Sequence, residues 1–211
     1  MKLILTAMQP DLADAWAKEF RGVDNVEIHR GSIFDVEADA LVSPANSYGF
    51  MDGGIDAHYS RVFGWDLQLR LRRVIVDHHY GELLVGAAEI VPTGNHNHPY
   101  LIVAPTMRVP MVLDRNTVNP FLATRAALLL VRYGTFHIEA LSGAKVREHV
   151  RTIAFPGMGT GVGRVPAARC ARQMRAGFDQ ARREPIVLPS SWAEASEEHQ
   201  LLYTDRPRRL Q

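Results

Sequence analysis

The sequence predicts an α/β domain, a three-layer α/β/α sandwich around a mixed central sheet. Short apolar runs that end at Gly or Pro alternate with segments of helical periodicity, which is typical of strands connected by helices. Two of the apolar runs lead into glycine-rich loops and then into helices, whereas two others are joined only by a polar turn. Because a short turn joins antiparallel strands and not parallel ones, the sheet is expected to be mixed.

The composition bounds the size of the fold and the kinds of partner. The chain has 211 residues, 46% of them hydrophobic, and no repeat or linker divides it, so one domain over 1–211 is expected. Its 24 Lys and Arg nearly balance its 23 Asp and Glu, so any selectivity for anions must be local. The N-terminal apolar run is too short for a signal peptide or a membrane span, and Cys170 is the single cysteine. A cytoplasmic protein without disulfides is expected.

In the first half of the chain, periodicity and proline define the elements. Leu12, Trp16 and Phe20 share one face of the first helix, which makes Trp16 a core residue. The third apolar run stops at Pro44, which cannot donate to a sheet. The predicted elements are strands at 2–7, 26–30 and 40–42 and helices at 10–20, 55–62 and 65–79.

The second half contains the antiparallel pair and the longest helices. Strands at 89–92 and 100–104 are joined by the polar turn 93–99. Residues 136–150 fit either an extra helix or an irregular insertion, and the apolar run from Ile186 to Leu188 could add an edge strand before a terminal tail. The remaining predicted elements are a strand at 152–155 and helices at 117–133 and 166–183.

Two of the predicted strands end in loops that suit a phosphate. Glycines follow the strand at 40–42 and again the strand at 152–155, and each loop precedes a helix. Free backbone N–H groups and the positive end of a helix dipole meet at such a place, so an anion can be bound there. Neither loop is a Walker A or a G-x-G-x-x-G motif. Two such loops on neighbouring strand ends favour a nucleotide site over two plain turns.

These residues carry a family resemblance. The stretches Asp39-Ala-Leu-Val-Ser-Pro-Ala-Asn46, Gly53-Gly-Ile-Asp56 and Ile153-Ala-Phe-Pro-Gly-Met-Gly-Thr-Gly-Val162 resemble the two binding loops of macrodomains, the ADP-ribose-binding modules. The interval from Asn46 to Asp56 is the one that the family shows between its ribose-binding Asn and the acidic residue of its hydrolase branch. The resemblance covers about 26–183, which leaves 1–22 and 185–211 as extensions.

The resemblance implies a role for each loop residue. Backbone amides of both loops would hold a diphosphate, Val162 would cover it, and Asn46 would donate to the distal ribose. Asp56 would stay ionised near the helix N-terminus and would deprotonate a water for attack on that ribose. The implied catalytic residues are Asp56 and Asn46, and the implied ligand-binding residues are Ile33, Ala45, Gly53, Gly54, Ile55, Gly157, Met158, Gly159, Thr160, Gly161, Val162 and Gly163.

The implied activity is removal of ADP-ribose from a modified protein or nucleic acid, without a cofactor. The alternative is a non-catalytic module that reads ADP-ribose or a related nucleotide. Structural alternatives exist for both catalytic residues, since Asn46 could merely cap a turn and Asp56 could merely stabilise a helix N-terminus.

Several residues depart from the family pattern. Ser32 stands where an Asp often accepts from the adenine amino group, so the base preference is open. Asp52 and Gly159 replace a common glycine and a frequent serine, and Ser43-Pro44 replaces Asn-Ala. Gly163 stands where an aromatic ring usually covers the distal ribose, so a more open site is expected.

Charged and metal-ligating side chains elsewhere give weaker indications. Arginines recur along the helix at 166–183, and they favour a solvated face over a basic rim beside the cleft. Arg108 is more readily a surface residue than a phosphate ligand. The pairs His78-His79 and His96-His98 have spacings that do not favour a metal site, so exposed histidines and no metal are expected.

Overall fold

The computed structural model describes residues 1–208 and has one six-stranded sheet in the order β2-β1-β6-β3-β5-β4. Its strands are β1 (Lys2–Ala7), β2 (Val26–Arg30), β3 (Ala40–Ser43), β4 (Glu89–Pro92), β5 (Tyr100–Val103) and β6 (Thr152–Phe155). Its helices are α1 (Pro10–Glu19), α2 (Gly54–Phe63), α3 (Asp66–His79), α4 (Asn119–Tyr133), α5 (Val146–His149), α6 (Ala167–Arg182) and α7 (Trp192–Leu201).

The sheet is mixed, as predicted. Every neighbouring pair is parallel except the pair of β4 and β5, which is antiparallel. In the register of the sheet, Ser43 of β3 pairs with Val103 of β5, which in turn pairs with Glu89 of β4. The start of the edge strand therefore lies level with the carboxyl end of β3.

Alternation along the strands builds two cores, one on each face of the sheet. Leu5, Val42 and Ile90 belong to one hydrophobic cluster, while Leu41 and Val91 belong to the other. Helices α1, α4 and α6 pack on the first face, where Trp16 is fully buried, and helices α2 and α3 contribute their apolar side chains to the second. The three-layer α/β/α class is confirmed, because successive strand residues point to opposite faces and each face has its own helices.

Two segments resolve or contradict the expectations. Residues 136–150 are an irregular insertion that contains a single 3-10 turn, Glu139–Leu141, and the four-residue α5. The suggested edge strand at Ile186–Leu188 is wrong, since these residues form no strand and are exposed. The helix that follows, α7, has a recognisable start, because the Ser191 side chain accepts from the Glu194 N–H at 3.2 Å. Within 1–208, no helix is both long and apolar enough to cross a membrane.

Candidate functional site

A cleft of about 630 Å³ opens at the carboxyl ends of the central parallel strands. Pro44, directly after β3, and Pro156, directly after β6, both line it, and Thr6 and Ala7 line it from the end of β1. Ligands of open α/β sheets bind at this edge, because the loops that leave the strands converge there. The two glycine loops are therefore walls of one cleft.

Both loops present unused backbone donors. Among the described residues, no protein group accepts a hydrogen bond from the backbone N–H of residues 157–163 or of residues 53–56. The second set lies in the first turn of α2, where the helix dipole is positive. Two segments with free amides beside one cleft can bind an oxyanion without any basic side chain.

The glycines of these loops serve two purposes. A Cβ on Gly163 would lie 2.5 Å from the Gly159 carbonyl oxygen, so this position has no room for a side chain. A Cβ on Gly157 would lie 2.6 Å from Leu12 Cδ2, so the Leu12 side chain would have to move. Gly53 and Gly161, in contrast, have nothing within 4 Å of a Cβ. The packing of the protein does not require glycine at these two positions, which leaves close approach of a ligand as a reason for it.

Asn46 uses its side chain within its own loop. Its Oδ1 accepts from the N–H groups of Tyr48 and Phe50, each at 3.2 Å, and its Nδ2 donates to the Phe50 carbonyl at 2.9 Å. Asn46 therefore caps the turn that follows β3, which is the structural alternative that the sequence left open. One of the two Nδ2 hydrogens remains available to a ligand, because a primary amide has two donors.

Asp56 is a buried carboxylate with one polar side-chain partner. It lies in the first turn of α2 with only 7% of its surface exposed, and the Ser43 hydroxyl donates to its Oδ1 at 2.5 Å. Burial raises the pKa of Asp56 from 3.8 to about 7, although the hydrogen bond from Ser43 opposes the rise. At a pKa of about 7, Asp56 is only partly ionised at neutral pH and not fully ionised as expected, because the loss of hydration outweighs the hydrogen bond from Ser43.

A comparison with known proteins identifies the family. The family model of the Macro domain matches residues 42–174, which is more than half of the chain. The chain belongs to the macrodomain family. An uncharacterised protein of Aquifex aeolicus is 35% identical over 151 residues, 71% of this chain and 78% of that protein. A macro domain-containing protein of Caldanaerobacter subterraneus is 30% identical over 149 residues, 71% of this chain and 76% of that protein.

Solved structures with the same fold are more distant in sequence. The macrodomain of Mycobacterium tuberculosis DarG aligns with a TM-score of 0.55 at 18% identity, over 71% of this chain and 87% of that chain. An Oceanobacillus iheyensis macrodomain with ADP aligns with a TM-score of 0.54 at 21% identity, over 70% of this chain and 73% of that chain. At these identities the likeness extends to the fold alone.

The macrodomain cleft contains nearly all of the residues that the sequence singled out. Met158 is the exception, because its side chain is fully buried in the core and its carbonyl accepts from Cys170 Sγ at 3.4 Å. The residues that line the cleft are Ile33, Ala45, Asn46, Gly53, Gly54, Ile55, Asp56, Gly157, Gly159, Thr160, Gly161, Val162 and Gly163.

A segment between the two loops escaped the sequence analysis. Residues 107–113 run from the first loop, where Ser47 N–H donates to the Met107 carbonyl at 3.1 Å, to the second, where Leu113 N–H donates to the Gly163 carbonyl at 3.0 Å. Leu113 also fills the space beside Gly163, so this glycine is packed and does not widen the macrodomain cleft. Only Pro105 and Pro110, which restrict the backbone, could have indicated that this segment follows a fixed path.

Phe50 is a second wall residue that sequence analysis missed. Its ring is 41% exposed and lines the cleft, with the Arg72 guanidinium 4.9 Å from the ring centre. An aromatic ring held by a cation on one side and open on the other can stack against a sugar or a base.

The basic residues considered earlier are mostly engaged with the protein itself. Arg108 makes two hydrogen bonds to the Glu82 carboxylate, at 2.7 and 3.2 Å, so it pairs with an acid and not with a free phosphate site. On α6, Arg172 pairs with Asp205 at 2.6 Å, and Arg175 pairs with Asp179 at 2.8 Å. These contacts favour a solvated, internally paired helix face over a basic rim.

Proposed function

We propose that this macrodomain binds ADP-ribose, with the diphosphate between its two glycine loops. The observation that carries the proposal is the pair of free amide segments, 53–56 and 157–163, whose residues line one cleft. A diphosphate supplies oxygens to both rows, and no cationic side chain is needed to balance it because helix α2 points its positive end at the cleft. Macrodomains with ADP and with ADP-ribose among the structural neighbours support the choice of ligand.

The distal ribose would lie near Phe50 and Asp56. Gly163, where the family usually has an aromatic ring, is packed against Leu113 and offers no cover to a ligand. Phe50 is an aromatic ring exposed on the same cleft, and it lies four residues after the loop-capping Asn46. We infer that Phe50 covers the distal ribose in place of the missing ring, which would limit the access of bulk water.

Asp56 is suited to acid–base chemistry at neutral pH. A group whose pKa is about 7 accepts and returns a proton at little cost, and the hydroxyl of Ser43 holds the carboxylate in place. In the proposed reaction, Asp56 takes a proton from water while the water oxygen bonds to the anomeric carbon of the distal ribose. The bond from that carbon to the modified group breaks, and the departing group keeps the electron pair and takes up the proton that Asp56 received from the water.

The reading of Asp56 as mere helix stabilisation is less favourable. A carboxylate at a helix N-terminus contributes about 0.3–1 kcal/mol when it is ionised and exposed. The rise of the Asp56 pKa from 3.8 to about 7 corresponds to about 4 kcal/mol against the ionised form in the folded protein. The cost of ionising Asp56 in the folded protein therefore exceeds the stabilisation that its charge could give to the helix N-terminus, so helix stabilisation alone does not account for this residue.

A reader module is the second candidate, and one observation favours it. The Asn46 side chain satisfies three hydrogen bonds inside its own loop, so it has less freedom to bind and orient a ribose hydroxyl or a water. Binding through the backbone amides would remain intact without that contribution. A chain of this kind would recognise ADP-ribose on a protein or nucleic acid and leave the linkage uncut.

Incubation with mono-ADP-ribosylated protein and, separately, mono-ADP-ribosylated nucleic acid separates the two candidates. The parent should release ADP-ribose from the modified substrate. Asp56→Ala should still bind free ADP-ribose, as measured by calorimetry, but should release it from the substrate at least about a hundredfold more slowly. Binding by the parent without release would favour the reader module. No heat with ADP-ribose at high concentration would overturn both.

A further inference from the structure

Three potential metal ligands meet at the open edge of the sheet, outside the nucleotide cleft. His79 ends α3, Glu89 begins the edge strand β4, and His137 follows α4. His79 Nε2 lies 3.0 Å and His137 Nδ1 lies 2.7 Å from Glu89 Oε2. One ligand atom of each of the three residues lies within 4.8 Å of those of the other two. The sequence placed His79 at a helix end and did not predict this contact with Glu89.

Glu89 is a buried carboxylate that needs a positive partner. Its side chain is only 1% exposed, and its Oε1 accepts from the Ile90 N–H at 2.8 Å. The other oxygen, Oε2, faces both imidazoles and no Lys or Arg within the part of the chain that the structure describes. Removing a carboxylate from water is costly unless a cation or a metal compensates its charge.

The ligand types and their spacing suit zinc. Two imidazole nitrogens and one carboxylate oxygen form a common open zinc site, in which water takes the fourth position. Ligand atoms of tetrahedral zinc are about 3.4 Å apart, given bonds of roughly 2.0–2.2 Å. The two contacts to Glu89 Oε2 are shorter than this by about 0.4 and 0.7 Å, so small rotations of the partly exposed imidazoles would admit the ion.

The surroundings of the cluster add orientation and access. The His78 ring stacks on the His137 ring at 4.4 Å between centres and 12° between planes, which holds the plane of the ligand ring. The side chains of His79 and His137 are 20% and 38% exposed, so an ion can enter from solvent. Fixing a ligand ring from outside the coordination sphere is a regular property of protein metal sites.

We propose that His79, Glu89 and His137 bind one zinc ion. The ion ties together the end of α3, the edge strand β4 and the segment after α4, at a sheet edge where β4 has no further strand partner among the described residues. Its role is structural, and it is independent of the nucleotide cleft because none of its ligands lines that cleft.

The test uses the full chain without an affinity tag, stripped with a chelator. Zinc should bind at one ion per chain after desalting, measured by elemental analysis, and magnesium should not. At a hundredfold excess of zinc over its Kd, the melting temperature should rise by about 5–10 °C. Absence of stoichiometric zinc, or an equal response to magnesium, would overturn the proposal.

Variants locate the site. His137→Ala removes a half-exposed ligand in an irregular segment, and it should weaken zinc binding by more than about 100-fold. His96→Ala is the matched control, because His96 is an exposed histidine in the turn between β4 and β5 and should leave binding unchanged. Cobalt should give intense visible d–d absorption in the parent and in His96→Ala only. Unchanged zinc affinity in His137→Ala would refute the assignment. Glu89→Gln is a second ligand variant, and the conclusion from His137→Ala does not depend on whether it folds.

Discussion

Replacing Asp56 by Asn should stabilise the protein at alkaline pH and give no such gain in acid. In the folded protein burial raises the pKa of Asp56 to about 7, against 3.8 in an unfolded chain. Between these pH values the folded state holds a proton that the unfolded state has lost, so the stability of the parent falls as pH rises and levels off above about 7. Asn cannot ionise, and its Oδ1 can still accept from Ser43.

The size of the effect follows from the same two pKa values. A separation of about three pH units at about 1.4 kcal/mol each corresponds to about 4 kcal/mol. The free energy of unfolding of Asp56→Asn, minus that of the parent, should therefore increase by about 4 kcal/mol between pH 4 and pH 8. Because every other group titrates equally in both proteins, this difference isolates Asp56.

Urea unfolding at constant ionic strength, at pH 4, 6 and 8, measures the difference through the midpoint and the slope of each transition. Asp52→Asn is the control, since Asp52 is an exposed carboxylate that lines the same cleft and its replacement removes the same formal charge without changing a buried group. If the curves of the parent and Asp56→Asn ran parallel across this range, Asp56 would not be held in an environment that disfavours its charge, and its assignment as a neutral-pH acid–base group would fail.

Two further predictions concern the cleft. Gly161→Val should fold with a nearly unchanged melting temperature, because nothing lies within 4 Å of a Cβ at this position. It should weaken ADP-ribose binding, measured by calorimetry, at least about tenfold. Gly163→Val should instead lower the melting temperature, because its Cβ would lie 2.5 Å from a carbonyl oxygen. Ser43→Ala removes the hydrogen bond that lowers the Asp56 pKa, so the NMR titration midpoint of the Asp56 carboxyl should move above 7. The variant should also lose more stability at pH 8 than at pH 5. An unchanged midpoint would show that the hydroxyl does not bind the carboxylate.

The parts of the fold that the sequence predicts well are those determined by local geometry. Pro44 and Pro156 end two strands because proline lacks an N–H, and the glycines after them permit loops whose amides stay free. Asn46 and Asp56 both line the cleft, as the resemblance to the binding loops of macrodomains implied. Local rules also place the antiparallel pair, whose turn is too short for a crossover.

What the sequence could not predict depends on contacts between distant segments. His137 lies 48 residues from Glu89, so no spacing rule joins them. The segment 107–113 has no regular structure and becomes a wall of the cleft only through hydrogen bonds to Ser47 and Gly163. The burial of Asp56 likewise results from packing against the sheet, which reverses the effect that its place in the first helical turn predicts.

The buried carboxylates of Glu89 and Asp56 lie at one level of the sheet but have different partners. Ser43, which binds Asp56, and Glu89 both pair with Val103, so they lie two strands or about 10 Å apart. Glu89 faces two imidazoles, whose nitrogens lie 3.0 and 2.7 Å from its Oε2. Asp56 faces one neutral hydroxyl and the cleft, and burial raises its pKa to about 7, so the carboxyl is present in both forms near neutral pH. A carboxylate in that state is poorly suited to holding a fold together and well suited to exchanging a proton with whatever the cleft contains.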